Sequence, residues 1–98
     1  MSNNKRIECA DGFSMSVQAS RMNYCEPRID DAEAYSEVEV GFPSHAEPLL
    51  DRYAEDYTRP TETVYPYVPS QIVVDVIAKH GGIVSGDVPN GLPYLEVS

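Results

Sequence analysis

Across residues 36–42 polar and apolar positions alternate without a break: Val38, Val40 and Phe42 point one way, Glu37 and Glu39 the other. Alternation at period 2 marks a strand buried on one face. A second alternation runs through Ile7 and Cys9, then Phe13, Met15, Val17 and Ala19. Asp11-Gly12 lies between its halves and signals a hairpin. Matching the faces fixes the register. A two-residue loop sets Cys9 opposite Ser14, apolar against polar. A three-residue loop, Ala10-Asp11-Gly12, sets Cys9 opposite Phe13 and Ile7 opposite Met15. The three-residue loop is therefore expected, with Gly12 in the left-handed conformation of a bulge. Residues 21–26 suggest a third, short strand that Pro27 ends or confines to an edge. Residues 29–34 carry three acids and no periodicity and read as an exposed loop. Residues 63–68 read as a strand broken by Pro66, hence at an edge or bent.

The pattern changes period after Pro69. Ile72, Val73, Val76 and Ile77 form one stripe at helical spacing. Pro69 or Ser70 can open this helix, over about residues 70–80. Gly81 closes it, with Lys79 and His80 in the last turn, where positive or polar groups suit the helix dipole. Ile83 stands where an apolar residue folds back after such a stop. A second helix is expected over about residues 46–55. Ser44 and Glu47 have capping-box spacing, Pro48 is tolerated in a first turn, and Leu49, Leu50 and Tyr53 would be buried. That helix would line up Glu47, Asp51 and Glu55 in one column. The expected fold is therefore α+β: a single small domain over residues 1–98, an antiparallel sheet of about four strands with the two helices on one face. Residues 1–4 read as a frayed tail and 84–98 as an irregular one, with Tyr94 and Leu95 as its anchors to the body.

Composition narrows the partners. Sixteen acidic against seven basic residues give a formal charge of −9. Direct binding to nucleic acid or to an anionic membrane needs clustered Lys and Arg and is disfavoured. A basic protein partner, or imitation of a polyanion, suits this charge. The polar start, Met1-Ser2-Asn3-Asn4-Lys5-Arg6, has no apolar stretch behind it and does not read as a signal peptide. Two cysteines are too few for a secreted disulfide scaffold. A cytoplasmic protein with reduced thiols is expected.

Candidate chemistry is sparse. Cys9, Cys25, His45 and His80 lack the close pairing of a zinc site. Nothing around Cys25 resembles an activated nucleophile, and His80 is explained by the helix end. Asp30, Asp31 and Glu33 lack calcium-loop spacing. Gly81-Gly82 follows a helix, whereas a phosphate loop precedes one. No catalytic residue, metal or cofactor is assigned, and an enzyme is not expected. Acids and tyrosines are the more informative features. Glu37 and Glu39 project from one strand face; Asp51, Glu55 and Asp56 follow nearby in the chain with Tyr57 beside them. An ordinary solvated face accounts for such a charge run; an acidic patch that engages a basic groove is the functional alternative. Seven tyrosines and no Trp favour a binding surface, because Tyr offers rigid area with a polar tip.

Several stretches taken together resemble a known group. They are D-G-F-S-M-S-V-Q-A-S from Asp11, Y-C-E-P-R from Tyr24, V-E-V-G-F-P-S from Val38, Y-A-E-D from Tyr53, P-T-E-T-V-Y-P-Y-V-P from Pro60 and H-G-G-I from His80. As a set they resemble small accessory proteins carried by tailed bacteriophages and prophages. The resemblance covers about residues 7–83 and lends no catalytic residues. It implies a small acidic protein made in an infected bacterial cell. By analogy with such proteins, it implies a non-enzymatic inhibitor of a host defence or nucleic-acid-processing complex, CRISPR effectors included. The partner would be a host protein or nucleoprotein with a basic groove, met by Glu37, Glu39, Asp51, Glu55, Asp56 and Tyr57. The alternative is a phage structural or assembly module, or a homo-oligomeric accessory protein.

Overall fold

Cys9 and Phe13 close the first hairpin around Ala10-Asp11-Gly12. The Cys9 N–H donates to the Phe13 carbonyl at 2.8 Å and the Gly12 N–H to the Cys9 carbonyl at 3.0 Å. Gly12 has φ +94°, the left-handed turn that the register demanded. The computed structural model describes residues 4–97; residues 1–3 of the expected N-terminal tail, and Ser98, lie outside the described residues. Strands β1 (Ile7–Cys9) and β2 (Ser14–Gln18) pair with Ile7 opposite Met15. Strand β3 (Glu37–Gly41) joins β2, and β4 (Val64–Pro69) joins β3. Helix α1 (Ser70–Lys79) follows β4 and leads to β5 (Ile83–Ser85), which pairs with β1. The sheet is antiparallel between neighbours, in the order β4-β3-β2-β1-β5.

This order makes α1 a bridge between the two sheet edges. Four interstrand gaps span about 19 Å. The ten residues of α1 rise about 15 Å, and Gly81-Gly82 completes the crossing. Val73, Val76 and Ile77 are fully buried, in one core with Ile7, Met15, Val17, Val38, Val40, Tyr65 and Val68. The helix ends in a Schellman motif. The Gly82 N–H reaches the Ile77 carbonyl at 3.0 Å and the Gly81 N–H the Ala78 carbonyl at 3.1 Å, with Gly81 at φ +91°. Pro69 occupies the N-cap; the Ser70 hydroxyl donates instead to the Tyr35 carbonyl at 2.6 Å.

Four expectations are corrected. The helix over 46–55 is replaced by turns and one 3-10 turn, Asp51–Tyr53. The capping box fails because Ser44 Oγ accepts the Ser14 N–H from across the fold and the Glu47 carboxylate turns inward. Residues 47–53 then close by i→i+3 bonds, Leu50 N–H to Glu47 and Tyr53 N–H to Leu50, both at 2.9 Å. Leu50 alone reaches the core fully; Leu49 is exposed. The sheet has five strands instead of about four, because the apolar residue after the helix stop starts β5. Residues 21–26 turn locally around the Ser20 hydroxyl; Glu26 forms an isolated bridge to Glu37, and the Tyr24 carbonyl accepts the Tyr67 N–H at 3.1 Å. Phe42 does not point inward: β3 ends at Gly41, φ of Phe42 is +50°, its ring is exposed, and Pro43 is buried in its place.

Strand β4 lies at an edge, as Pro66 requires. Its register shifts where Pro66 and Tyr67 together oppose Glu39, and Tyr67 takes φ +53°. Of the chain beyond the helix stop, Leu92 is buried and Leu95 packs on the core, while Tyr94 is largely exposed.

Gly86 and Gly12 provide a test of backbone constraint. A Cβ on Gly86, at φ +115°, would stand 2.4 Å from the Arg6 carbonyl oxygen and 2.6 Å from the Ile7 Cα, whereas one on Gly12 meets nothing within 4 Å. Gly86→Ala is expected to cost at least about 2 kcal/mol. Gly12→Ala should cost only its left-handed strain, about 1 kcal/mol. Urea denaturation of the two variants measures the difference.

Candidate functional site

Two polar assemblies stand out, and the first contains none of the residues singled out for partner binding. His80 closes α1, the Ala10-Asp11-Gly12 loop abuts it, and Glu47 of the 44–50 segment reaches its ring. The sequence brings them together through the Schellman turn: the Asp11 N–H donates to the His80 carbonyl at 3.3 Å and the Ala10 N–H to the Gly82 carbonyl at 3.0 Å. Both ring nitrogens of His80 face carboxylates. Nδ1 is 2.6 Å from Asp11 Oδ2 and Nε2 is 2.7 Å from Glu47 Oε1. The ring stacks on Phe13, with centroids 4.1 Å apart and planes inclined by 10°.

Glu47 is only 1% exposed, an unusual place for a carboxylate. Taking such a charge out of water costs several kcal/mol unless it is fully partnered. Three donors supply the partnering: His80 Nε2 on Oε1, and the Leu49 N–H and Lys79 Nζ, both at 2.9 Å, on Oε2. Burial pushes the Glu47 pKa upward, but the Leu49 N–H, Lys79 and His80 outweigh it and hold the carboxyl below its ordinary value. Asp11 is lowered too, chiefly by accepting the Phe13 N–H and then by His80. Burial pulls His80 down, while the hydrogen bonds from Asp11 and Glu47 pull harder and raise it above 6.5. With a proton on each nitrogen the ring donates to both carboxylates. In that state it has no free lone pair with which to accept a proton, and the arrangement suits structural anchoring. Local spacing gave no signal for it, because its members stand 69 and 33 residues apart in the chain.

The second assembly is the acidic segment. Glu37 and Glu39 project from the sheet face opposite α1, half-exposed, as their alternation predicts. Glu39 is engaged there: it accepts the Tyr24 N–H at 3.0 Å and the Asn23 side-chain amide at 3.4 Å. Beside it the rings of Tyr24 and Tyr67 lie 5.9 Å apart, with the Arg28 guanidinium 4.9 Å from the Tyr24 centroid. Asp51, Glu55, Asp56 and Tyr57 form a separate, exposed group at the start of β4, held there by the Glu55 N–H on the Val64 carbonyl at 3.0 Å. The expected column of Glu47, Asp51 and Glu55 does not form, since Glu47 is buried in the His80 assembly.

Tyr57 sits at the tip of a braced turn. Asp56 Oδ1 accepts both the Thr58 N–H at 3.0 Å and the Thr58 hydroxyl at 2.5 Å, which lowers the Asp56 pKa. The Asp56 N–H donates to Thr63 Oγ1 at 3.1 Å, and Arg59 pairs with Glu62 at 2.9 Å. The Tyr57 ring is 80% exposed on this support.

Cys9 and Cys25 are both buried thiols, raised chiefly by burial. Among the described residues no helix is long and apolar enough to cross a membrane. No protein-family model, curated protein or solved structure matches this chain.

The buried carboxylate makes a direct prediction. Glu47→Gln should lower stability by about 1–3 kcal/mol, because a neutral amide cannot satisfy both Lys79 and His80. Lys79→Met should cost less than about 1 kcal/mol, since the Lys79 side chain is 45% exposed. Urea midpoints at neutral pH read both.

Proposed function

We propose that this chain is a non-enzymatic binding protein. In this reading it is made by a bacteriophage in the cytoplasm of an infected bacterium. It blocks a host defence or nucleic-acid-processing complex by occupying a basic groove. The acids Asp51, Glu55 and Asp56, with Glu37 and Glu39 on the sheet face, stand in for phosphates. Tyr57 is the anchor.

One observation carries the reading: a tyrosine held out on a hydrogen-bonded turn directly after two acids, Glu55 and Asp56. An exposed ring is ordinarily a cost without a return in the free protein. Bracing it lowers the conformational entropy lost on docking, which is how a rigid aromatic becomes a binding hot spot. The surrounding negative charge, within a total of −9, would speed encounter with a cationic surface.

A second reading, a homo-oligomeric or particle-assembly module, draws on the opposite edge of the sheet. There Val84, Tyr94 and Val97 leave apolar surface exposed around Ile83 and Glu96. Light scattering separates the two: a defined oligomer favours assembly, and a monomer favours the acidic face.

Capture from host lysate on immobilised protein identifies the partner. Affinity for that partner is expected to fall steeply as salt rises. Tyr57→Ala should weaken binding by about 2 kcal/mol or more. Reversing Glu37, Asp51 and Glu55 to Lys should slow association about tenfold or more. A complex indifferent to salt and to all of these changes would overturn the reading.

A further inference from the structure

We propose that the Asp11–His80–Glu47 assembly is a proton-controlled latch that fastens residues 45–49 to the end of α1 and releases them as pH rises. The geometry requires a proton on each ring nitrogen. At 2.6 and 2.7 Å both nitrogens face carboxylate oxygens, and only the doubly protonated ring donates to both. A neutral ring must turn one lone pair toward a carboxylate, which repels it. The latch closes three elements at once: the hairpin loop through Asp11, the helix end through His80, and the connecting segment through Glu47.

Release would be local. Among residues 44–49 Glu47 is the one buried residue, apart from which the segment is half-exposed or exposed. Leu50 beyond it stays anchored in the core. The groups facing the ring are few. Asp11 comes from the hairpin, Glu47 from the segment, and Lys79 from α1, where it bonds to Glu47 Oε2 while the ring bonds to Oε1. Cys9 on β1 has a raised pKa and stays neutral near pH 7. His45 bonds to the Ser44 hydroxyl at 2.9 Å.

The sign follows from linkage. The folded pKa of His80 is raised above 6.5. Its contribution is complete below 6.5 and is lost as pH rises through the folded value. Asp11 and Glu47 are lowered, so their contributions hold above ordinary carboxylate pKa values and are lost as pH falls through the folded ones. The latch is closed in the window between. It operates whether or not the Tyr57 turn binds a partner.

Amide hydrogen exchange, corrected for its intrinsic pH dependence, reads the opening at Leu49 and Leu50, whose N–H groups bond to Glu47. The opening constant should rise about tenfold per pH unit between 6.5 and the folded His80 pKa, then level off. Asp11→Asn keeps an acceptor for the Phe13 N–H at an exposed position, so folding is preserved. It should move the level-off point to lower pH while the rise persists. Opening that is flat between pH 6 and 9 in the parent chain, or a level-off point identical in Asp11→Asn, would overturn the latch.

Discussion

A single carboxylate below the surface constrains the irregular half of this molecule. Glu47 cannot remain charged at 1% exposure without donors on both oxygens. Those donors come from the far end of α1 and from its own following turn. Satisfying it therefore fixes where the helix stops relative to the 44–50 segment. Through Asp11 it also fixes where the first hairpin lies against both. The sheet and helix provide the apolar area; the Glu47–His80 contact selects one arrangement of the connecting chain around it.

The sheet itself is asymmetric. Its apolar face is closed by α1, and its other face carries Glu8, Ser14, Ser16, Gln18, Glu37 and Glu39. Both edges are managed. On β4, Pro66 and Pro69 present no N–H, and the Tyr67 N–H is taken by the Tyr24 carbonyl. On β5, Ile83 exchanges bonds with the C-terminal segment, donating to Leu95 and accepting from Val97. The acids and tyrosines thus stand on a scaffold with little exposed backbone for non-specific pairing. What the scaffold presents to solvent is therefore mainly side chains, those of the Tyr57 turn and the sheet face among them.

The regular elements were legible because local pattern and global packing agree in them. Face matching alone set Ile7 opposite Met15 and gave the hairpin three loop residues. Period 2 found β3, and period 3.6 with a Gly stop found α1. The failures at Ser44, Glu47 and His80 share one cause. Ser44 and Glu47 look like a local capping pair, but each finds a partner far away in sequence, Ser14 and His80. Phe42 continues an alternation that the backbone abandons one residue earlier. His80 reads as a dipole partner because nothing near it in sequence announces two carboxylates. Long-range polar contacts have no period, so a pattern reading passes over them.

The account rests on the charge state of the ring between Asp11 and Glu47. Long-range nitrogen–proton NMR correlation of the His80 imidazole, followed as pH rises through 6.5, observes that state without perturbing the fold. Both ring nitrogens are predicted to titrate from matching protonated shifts with a midpoint above 6.5. A midpoint at or below 6.5 would contradict the account, since a ring held between two carboxylates must keep its second proton longer than a free imidazole does.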